Sequence, residues 1–483
     1  MNNTTPSKYE VFQLGMDNRC ILNTDTIATQ RNNNILVMGG TGTGKTSCIT
    51  NNMILGLENS NAVIVCTKQG NMDTFSRILG LKGYNVLKID FTAPGKGNYG
   101  YDPLKCCTCP EDIAHLAYSI IRSDPSGMVG HDPYWENSAT NLLEFLLKYV
   151  RSGKYSKSNS AKPASTSAGG GCLMNPKGNW PVHRFVNPLA EGTQEKLKPG
   201  SMKAMLTLMN DFHWLYHGDE NIPPEKNSLE YAEYLDELKK NHPLHWELEN
   251  TNKLTAKDAA VWKNFVQLPN TTGSCVTSSL TAPFNKVFSS TIPQLIWKDN
   301  QFSFQKLLKP KTVLFIKTSP VNDVLNSFIT IFYSQLFKNL FELAEKQPDH
   351  VLPYPVHVIC DDFATGCQVQ DFDKQISVFR EKGISATLLV QSQSQLASLY
   401  GQAATKTIIN NCDTLIYLGG SDLDTCSEIS RRLNRPLHEV LNMPIGKEIF
   451  FQRGQKPVIT RRRSFRETPE YLKYAQKTTT KTA

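Results

Sequence analysis

Apolar residues fall along this chain in two rhythms. Short unbroken runs rich in β-branched side chains stand at 35–38 (ILVM), 62–66 (AVIVC) and 85–89 (NVLKI). Each is followed by a segment long enough for a helix, a pattern that predicts parallel strands buried on both faces and joined by helical crossovers. The same character returns at 312–316 (TVLFI), 356–360 (VHVIC), 386–390 (ATLLV) and 414–418 (TLIYL), with 324–346 among the helical segments between them. One α/β sheet that draws on both halves of the chain is expected. Between the halves, amphipathic Leu-rich and aromatic stretches at 134–150 and 229–248 carry the helical period and predict an inserted all-α domain. Inside it, the Ser, Lys and Gly-rich run 151–171 reads as a flexible loop.

The expected organisation is therefore a lead-in over 1–34, a first α/β part over 35–104, an α insertion over 105–290, a second α/β part over 291–452 and a basic, flexible tail over 453–483. No internal repeat is visible.

Composition changes this picture little. A 40% hydrophobic and 20% charged chain of 483 residues belongs with ordinary globular proteins, which excludes a disordered or fibrous reading. The formal charge of +8 permits a nucleic acid or acidic lipid partner without requiring one. The amino terminus is polar and lacks a signal-peptide core, and no run approaches the roughly 18 apolar residues of a membrane-spanning helix. A soluble, cytoplasmic protein is expected. Its twelve cysteines are scattered, and the close group Cys106, Cys107 and Cys109 has no second ligand pair at zinc-site spacing, so reduced thiols are expected.

Chemistry concentrates where apolar runs end. Directly after ILVM, the residues Gly39, Gly40, Thr41, Gly42, Thr43, Gly44, Lys45, Thr46 and Ser47 match GxxxxGK[ST] between a strand and an amphipathic segment. Glycines there turn successive backbone N–H groups toward phosphates, Lys45 reaches the β and γ phosphates, and Thr46 holds Mg²⁺. ATP and Mg²⁺ are the expected ligands. The run VHVIC ends in Asp361 and Asp362, at the carboxyl edge of a buried strand. Asp361 is expected to hold the metal and Asp362 to polarise the attacking water, against the alternative that both simply cap the next helix. Gln391 follows ATLLV, where it can sense the γ phosphate or lie in a solvated loop; Asn410 or Asn411, with Asp413 in IINNCDTLIYLGG, is read as a second polar signal at the end of a nearby strand.

Taken in order, RNNNILVMGGTGTGKTS, GYNVLKIDF, YGYDPL, DPYWENSATNLLEFLL, CDDFATG, FREKGISATLLVQSQSQLASLYG and NNCDTLIYLGG resemble the type IV secretion coupling proteins, the TraG/TraD-like conjugative DNA-transfer ATPases. The resemblance spans most of 30–435. It implies a RecA-like P-loop NTPase motor domain with an inserted all-α domain, assembled as a homo-hexamer at the cytoplasmic face of the plasma membrane. It further implies an ATP-driven pump that delivers single-stranded DNA and its relaxase, or a protein effector, to components of a secretion channel. Lys45 and Thr46 match the Walker A positions, Asp361 and Asp362 the Walker B pair, and Gln391 the sensor glutamine. Arg380 stands where the family carries an arginine that reaches a neighbouring subunit's nucleotide; a plain surface arginine is its alternative.

Three features depart from the family pattern. About 38 residues precede the phosphate loop, where the family usually has two transmembrane helices, so a soluble variant, a lost anchor or a separately encoded one is expected, with membrane association through a partner or the basic tail. CTKQGN at 66–71 keeps Lys68 of an Asp-Pro-Lys-Gly-Glu run but lacks its acidic residues. Asp362 stands in place of glutamate. Two rival readings stay open: a DNA-packaging or chromosomal translocase with the same motor, and a nucleotide-binding adaptor that does not hydrolyse.

Overall fold

The computed structural model describes residues 9–123, 133–153, 200–211, 228–233, 236, 248, 255–319, 322–363 and 368–479. It divides into two compact units, Met1–Tyr99 with Phe302–Ala483, and Gly100–Gln301.

The first unit is built on a nine-stranded sheet. Its central strands are the apolar runs themselves: β3 Ile35–Met38, β4 Asn61–Cys66, β5 Asn85–Asp90, β6 Thr312–Lys317, β7 Val356–Cys360, β8 Ile384–Val390 and β9 Thr414–Tyr417. Every residue of β3, β4, β6, β7, β8 and β9 is buried, as the unbroken apolar pattern requires of strands covered on both faces. These strands pair in parallel. Their order is β9-β3-β8-β7-β4-β6-β5, so β8 lies between the strand that leads into the glycine-rich loop and the strand that ends in the acidic pair.

Helices cover the sheet and start where side chains can satisfy free backbone N–H groups. Asn322 caps Asp323–Glu345 through Val324 N–H, and Ser392 caps Gln393–Asn410 through Gln395 N–H. The latter helix is broken at Gly401 (φ 76°). An aromatic cluster packs beside the turn that follows β7: Phe363 lies 4.8 Å from Phe372, and Phe337 lies 5.0 Å from Phe379. This fixes the residue next to the acidic pair.

Four strands fall outside the expected set. β1 Val11–Gln13 and β2 Ile21–Asn23 form an antiparallel hairpin within the lead-in. At the other end, β10 Lys447–Gln452 pairs antiparallel with β9, and β11 Val458–Arg461 with β10. The segment from 453 on is therefore not simply a flexible tail. Val458 is buried, Phe465 and Tyr471 pack on the sheet core, and a helix follows at Pro469–Thr479. Burial of these apolar side chains explains the order: each contributes on the order of 1.5–3 kcal/mol when fully removed from water.

The second unit is helical in its described residues, apart from one isolated bridge. Helices Pro110–Ile121, Pro133–Arg151 and Asn270–Val287 pack together, and Phe145 stacks on Trp262 of Ala256–Val266 at 5.8 Å. Its limits lie at 100 and 301 instead of 105 and 290, because Gly100 N–H bonds to Asn300 O at 2.8 Å and closes entry against exit, enclosing the helix Ile292–Trp297. The loop expected at 151–171, from residue 154 on, and most of 229–248 lie outside the described residues. Among the described residues, no helix is long and apolar enough to cross a membrane, and the cysteines are free thiols.

Candidate nucleotide site

The loop after β3 is held in place by its neighbours. Gly39 N–H bonds to Val390 O at the end of β8 (3.2 Å) and Gly40 N–H to Gly419 O beyond β9 (2.9 Å). Gly42 and Gly44 take φ +78° and +84°, a left-handed backbone that a Cβ disfavours, and the curved loop needs both. Thr43 Oγ1 donates to Gly40 O at 2.8 Å across the bend. The turn that follows, Thr46–Thr50, has π geometry, a local widening often found at functional sites, before the regular helix Asn51–Gly56.

Lys45 is buried, and its ammonium donates to Gly39 O (2.7 Å) and Gly40 O (3.2 Å). Burial lowers its pKa, while the carboxylates of Asp362 and Asp361 act in the opposite direction. The loop and β7 meet at one contact: Thr46 Oγ1 lies 3.2 and 3.1 Å from the two carboxylate oxygens of Asp361. Asp361 is buried, and desolvation together with the adjacent Asp362 pushes its pKa up to about 6, against the pull of the Thr46 hydrogen bond, Lys45 and Lys68. Sequence separation between Thr46 and Asp361 is 315 residues, so only the sheet order brings them together.

Asp362 has φ 53°, in the left-handed region that Asp tolerates better than most residues, so the chain turns sharply between the two carboxylates. Gln391 is exposed just past β8, between the loop strand and the acidic strand, and its backbone N–H bonds to Gln395 Oε1 at 2.9 Å. Arg380 is not brought to this edge. It lies near the carboxyl end of helix Phe372–Lys382, which leads through Gly383 into the amino end of β8, and its guanidinium donates to Thr26 O at 2.8 Å. Asn410, Asn411 and Asp413 also precede a strand instead of ending one. Asp413 pairs with Arg453 at 3.1 Å and accepts from Asn32 N–H at 2.6 Å, so this cluster ties down the amino ends of β9 and β3, opposite the glycine-rich loop.

Two residues at the loop edge escaped sequence reasoning. Lys317, at the end of β6, is buried and donates to Thr67 O (2.5 Å) and Thr318 O (2.9 Å), so it braces the altered 66–71 segment. Arg462, just beyond β11, donates to Thr43 O of the glycine-rich loop at 2.6 Å. A hairpin signal was present for the strands around it: KEIFFQ and VIT, separated by a turn with Gly454 and Pro457.

An open α/β sheet with a phosphate loop after one strand, a carboxylate pair after another and a single strand between them defines a P-loop NTPase of the RecA-like kind. Solved structures share this fold. Bacterial conjugative coupling protein TrwBdeltaN70, in complex with sulphate, aligns with TM-score 0.54 at 16% identity over 90% of this chain and 88% of that one. TrwB in complex with ADP and Mg²⁺ aligns with TM-score 0.54 at 16% identity, over 90% and 87% of the two chains. VirB4 of Thermoanaerobacter pseudethanolicus aligns with TM-score 0.51 at 12% identity, over 96% and 98%. No curated protein sequence matches the chain significantly. Residues 8–186 match the family described as type IV secretory system conjugative DNA transfer, and residues 355–435 that described as the TraM recognition site of TraD and TraG. The chain belongs to the type IV secretion system coupling protein family.

Proposed function

We propose that this chain is an ATP-driven motor that recruits single-stranded DNA with its relaxase, or a protein effector, and pumps it toward a type IV secretion channel. The observation that carries the reading is the contact between Thr46 and Asp361, which joins the phosphate loop to the acidic strand in a chain of the conjugative DNA-transfer family.

The donor set fits Mg²⁺: a hydroxyl and a carboxylate are hard oxygen ligands, and a buried carboxyl pushed up to about 6 gains most from a nearby cation. When bound, Mg²⁺ supplies charge neutralisation at the transferring phosphoryl group. Lys45 would exchange its bonds to the Gly39 and Gly40 carbonyls for phosphate oxygens. Backbone N–H groups of the loop would hold the phosphates without reorganisation, the preorganised donation that stabilises developing charge. Asp362 orients the attacking water, with a reach one methylene shorter than glutamate gives. Gln391, at the end of the intervening strand, senses the γ phosphate.

A homo-hexameric ring places Arg380 at a neighbouring subunit's nucleotide, which agrees with its distance from its own loop. In that ring, basic side chains track the phosphodiester backbone in a salt-sensitive, sequence-independent mode. The ring works at the cytoplasmic face of the membrane, attached through a partner or the basic C-terminal residues. The match over 355–435 favours a relaxosome component among its partners. The left-handed turn at Asp362 favours a second reading, a nucleotide-binding adaptor without turnover.

Steady-state ATPase rates with and without single-stranded DNA, beside Lys45→Ala and Asp362→Asn, separate the two. The motor requires DNA-stimulated turnover that both substitutions abolish, by about a hundredfold or more. Tight ATP binding with no turnover under any condition would establish the adaptor. Light scattering with ATP and DNA that showed only monomers at micromolar concentration would remove the ring.

A further inference from the structure

We infer that Arg462 is a positioning residue for nucleotide binding, fixing the phosphate-loop backbone from the C-terminal end of the sheet. The inference rests on the nucleotide reading above and deepens it.

The Arg462 guanidinium donates to three backbone carbonyls on three segments. Nη1 bonds Thr43 O at 2.6 Å, Nε bonds Lys447 O at 3.0 Å, and Nη2 bonds Leu418 O. Thr43 stands between Gly42 and Gly44, both at positive φ, the least conformationally restricted stretch of the loop. A trans peptide unit is planar, with its C=O and N–H pointing in opposite directions. Fixing the Thr43 carbonyl on Arg462 therefore also fixes the Gly44 N–H, directed away from the guanidinium. The same arginine holds Leu418 O, and the next carbonyl, Gly419 O, accepts from Gly40 N–H at 2.9 Å. The loop is thus gripped at Gly40 and at Thr43 by one connected set of bonds.

A solvated arginine in a basic run is the alternative, and the neighbouring position shows the contrast. Arg461 is exposed, whereas Arg462 is partly buried and donates from each of its three guanidinium nitrogens. Gly446 O accepts Arg462 N–H at 2.9 Å, so the backbone is also held in register with the strand beside it.

The experiment compares the full-length parent with Arg462→Met, Arg462→Lys and Arg461→Met. Calorimetry measures binding of ADP with Mg²⁺, hydrogen exchange follows the amides of 39–46 without nucleotide, and a thermal melt reports folding. Arg462→Met should weaken ADP about tenfold and speed exchange in the loop, while melting within a few degrees of the parent. Arg462→Lys, whose single ammonium cannot serve three segments, should lose about threefold, and Arg461→Met nothing. Parent-like binding and exchange in Arg462→Met would overturn the inference, as would an equal loss in Arg461→Met. Should Arg462→Met fail to fold, Arg462→Lys carries the comparison, and parental binding there overturns it. A parent that binds no ADP sinks the nucleotide reading itself, while loop exchange still decides whether Arg462 holds the backbone.

Discussion

The centre of the sheet and its C-terminal edge reach order by different routes. β3, β8 and β7 are buried on both faces, so their sequences are continuous apolar runs, and each is followed by polar residues that must emerge at the carboxyl edge. β10 and β11 lie at the antiparallel end, where burial is interrupted along KEIFFQ, alternates along VITR, and charged residues stand among the apolar ones. Yet the edge supports the centre: Arg453 pairs with Asp413 at one end of the strands, and Arg462 grips the phosphate loop at the other. Charge in a C-terminal segment is thus no guide to whether that segment is solvated. What matters is whether its cations find buried carbonyls and carboxylates.

The sharpest separation of the two regions is catalytic. Under the proposed motor reading, Asp361→Asn should lower DNA-stimulated ATP turnover about a hundredfold while the fold survives, because it removes the charge that would face the metal. A loss under tenfold in steady-state assays would disconnect the acidic strand from the chemistry. The next effect lies at the edge. Ending the chain after Gln452 should lower the melting temperature by about 10 °C or more, since β11, Val458 and Phe465 are removed together. Phe465→Ala alone should cost about 2 kcal/mol in a denaturant titration, and an unchanged midpoint would restore the view of a tail that packs on nothing.

A smaller effect depends on pH. Glu448 of β10 is fully buried, and desolvation raises its pKa from 4.5 to about 8, with Arg462 pulling the other way. The folded chain therefore keeps this proton to higher pH than the unfolded chain, so the group's contribution is complete below about 4.5 and is lost as pH rises through about 8. Glu448→Gln should flatten the fall in stability over that window and gain roughly 1–3 kcal/mol near pH 9. Parallel pH curves for the variant and the parent would show that Glu448 is solvated. Smallest of all, Ile459→Thr on the exposed side of β11 should change stability by no more than about 0.5 kcal/mol. A larger loss would reveal a partner on that edge.

Much of the site was legible because its parts are local. A strand, a glycine-rich turn, a lysine and a hydroxyl fall within a dozen residues, and Asp361 directly follows a recognisable buried strand. Gln391 was placed correctly at the end of a strand for the same reason. Arg462 was hidden because its partners, Thr43, Leu418 and Lys447, are backbone carbonyls at scattered positions, and a carbonyl leaves no mark on sequence. Asn411 and Asp413 misled because polar residues flank a strand at either end, and only chain direction within the assembled sheet tells which edge they occupy. The edges of the α insertion shifted because Gly100 and Asn300 close it by a backbone bond, which is equally silent.

By itself, the sequence determined the seven parallel strands, the glycine-rich loop and the acidic pair, since burial on two faces demands unbroken apolar runs and a phosphate-loop turn demands glycines, a lysine and a hydroxyl at particular spacings. The tertiary structure alone decided that β8 lies between β3 and β7, that Thr46 meets Asp361, and that the last strands hold the loop. The joining of Thr46 to Asp361, of β3 to β8 and of Arg462 to Thr43 spans hundreds of residues, and it is made through strand order and hydrogen bonds that many side-chain sequences would satisfy.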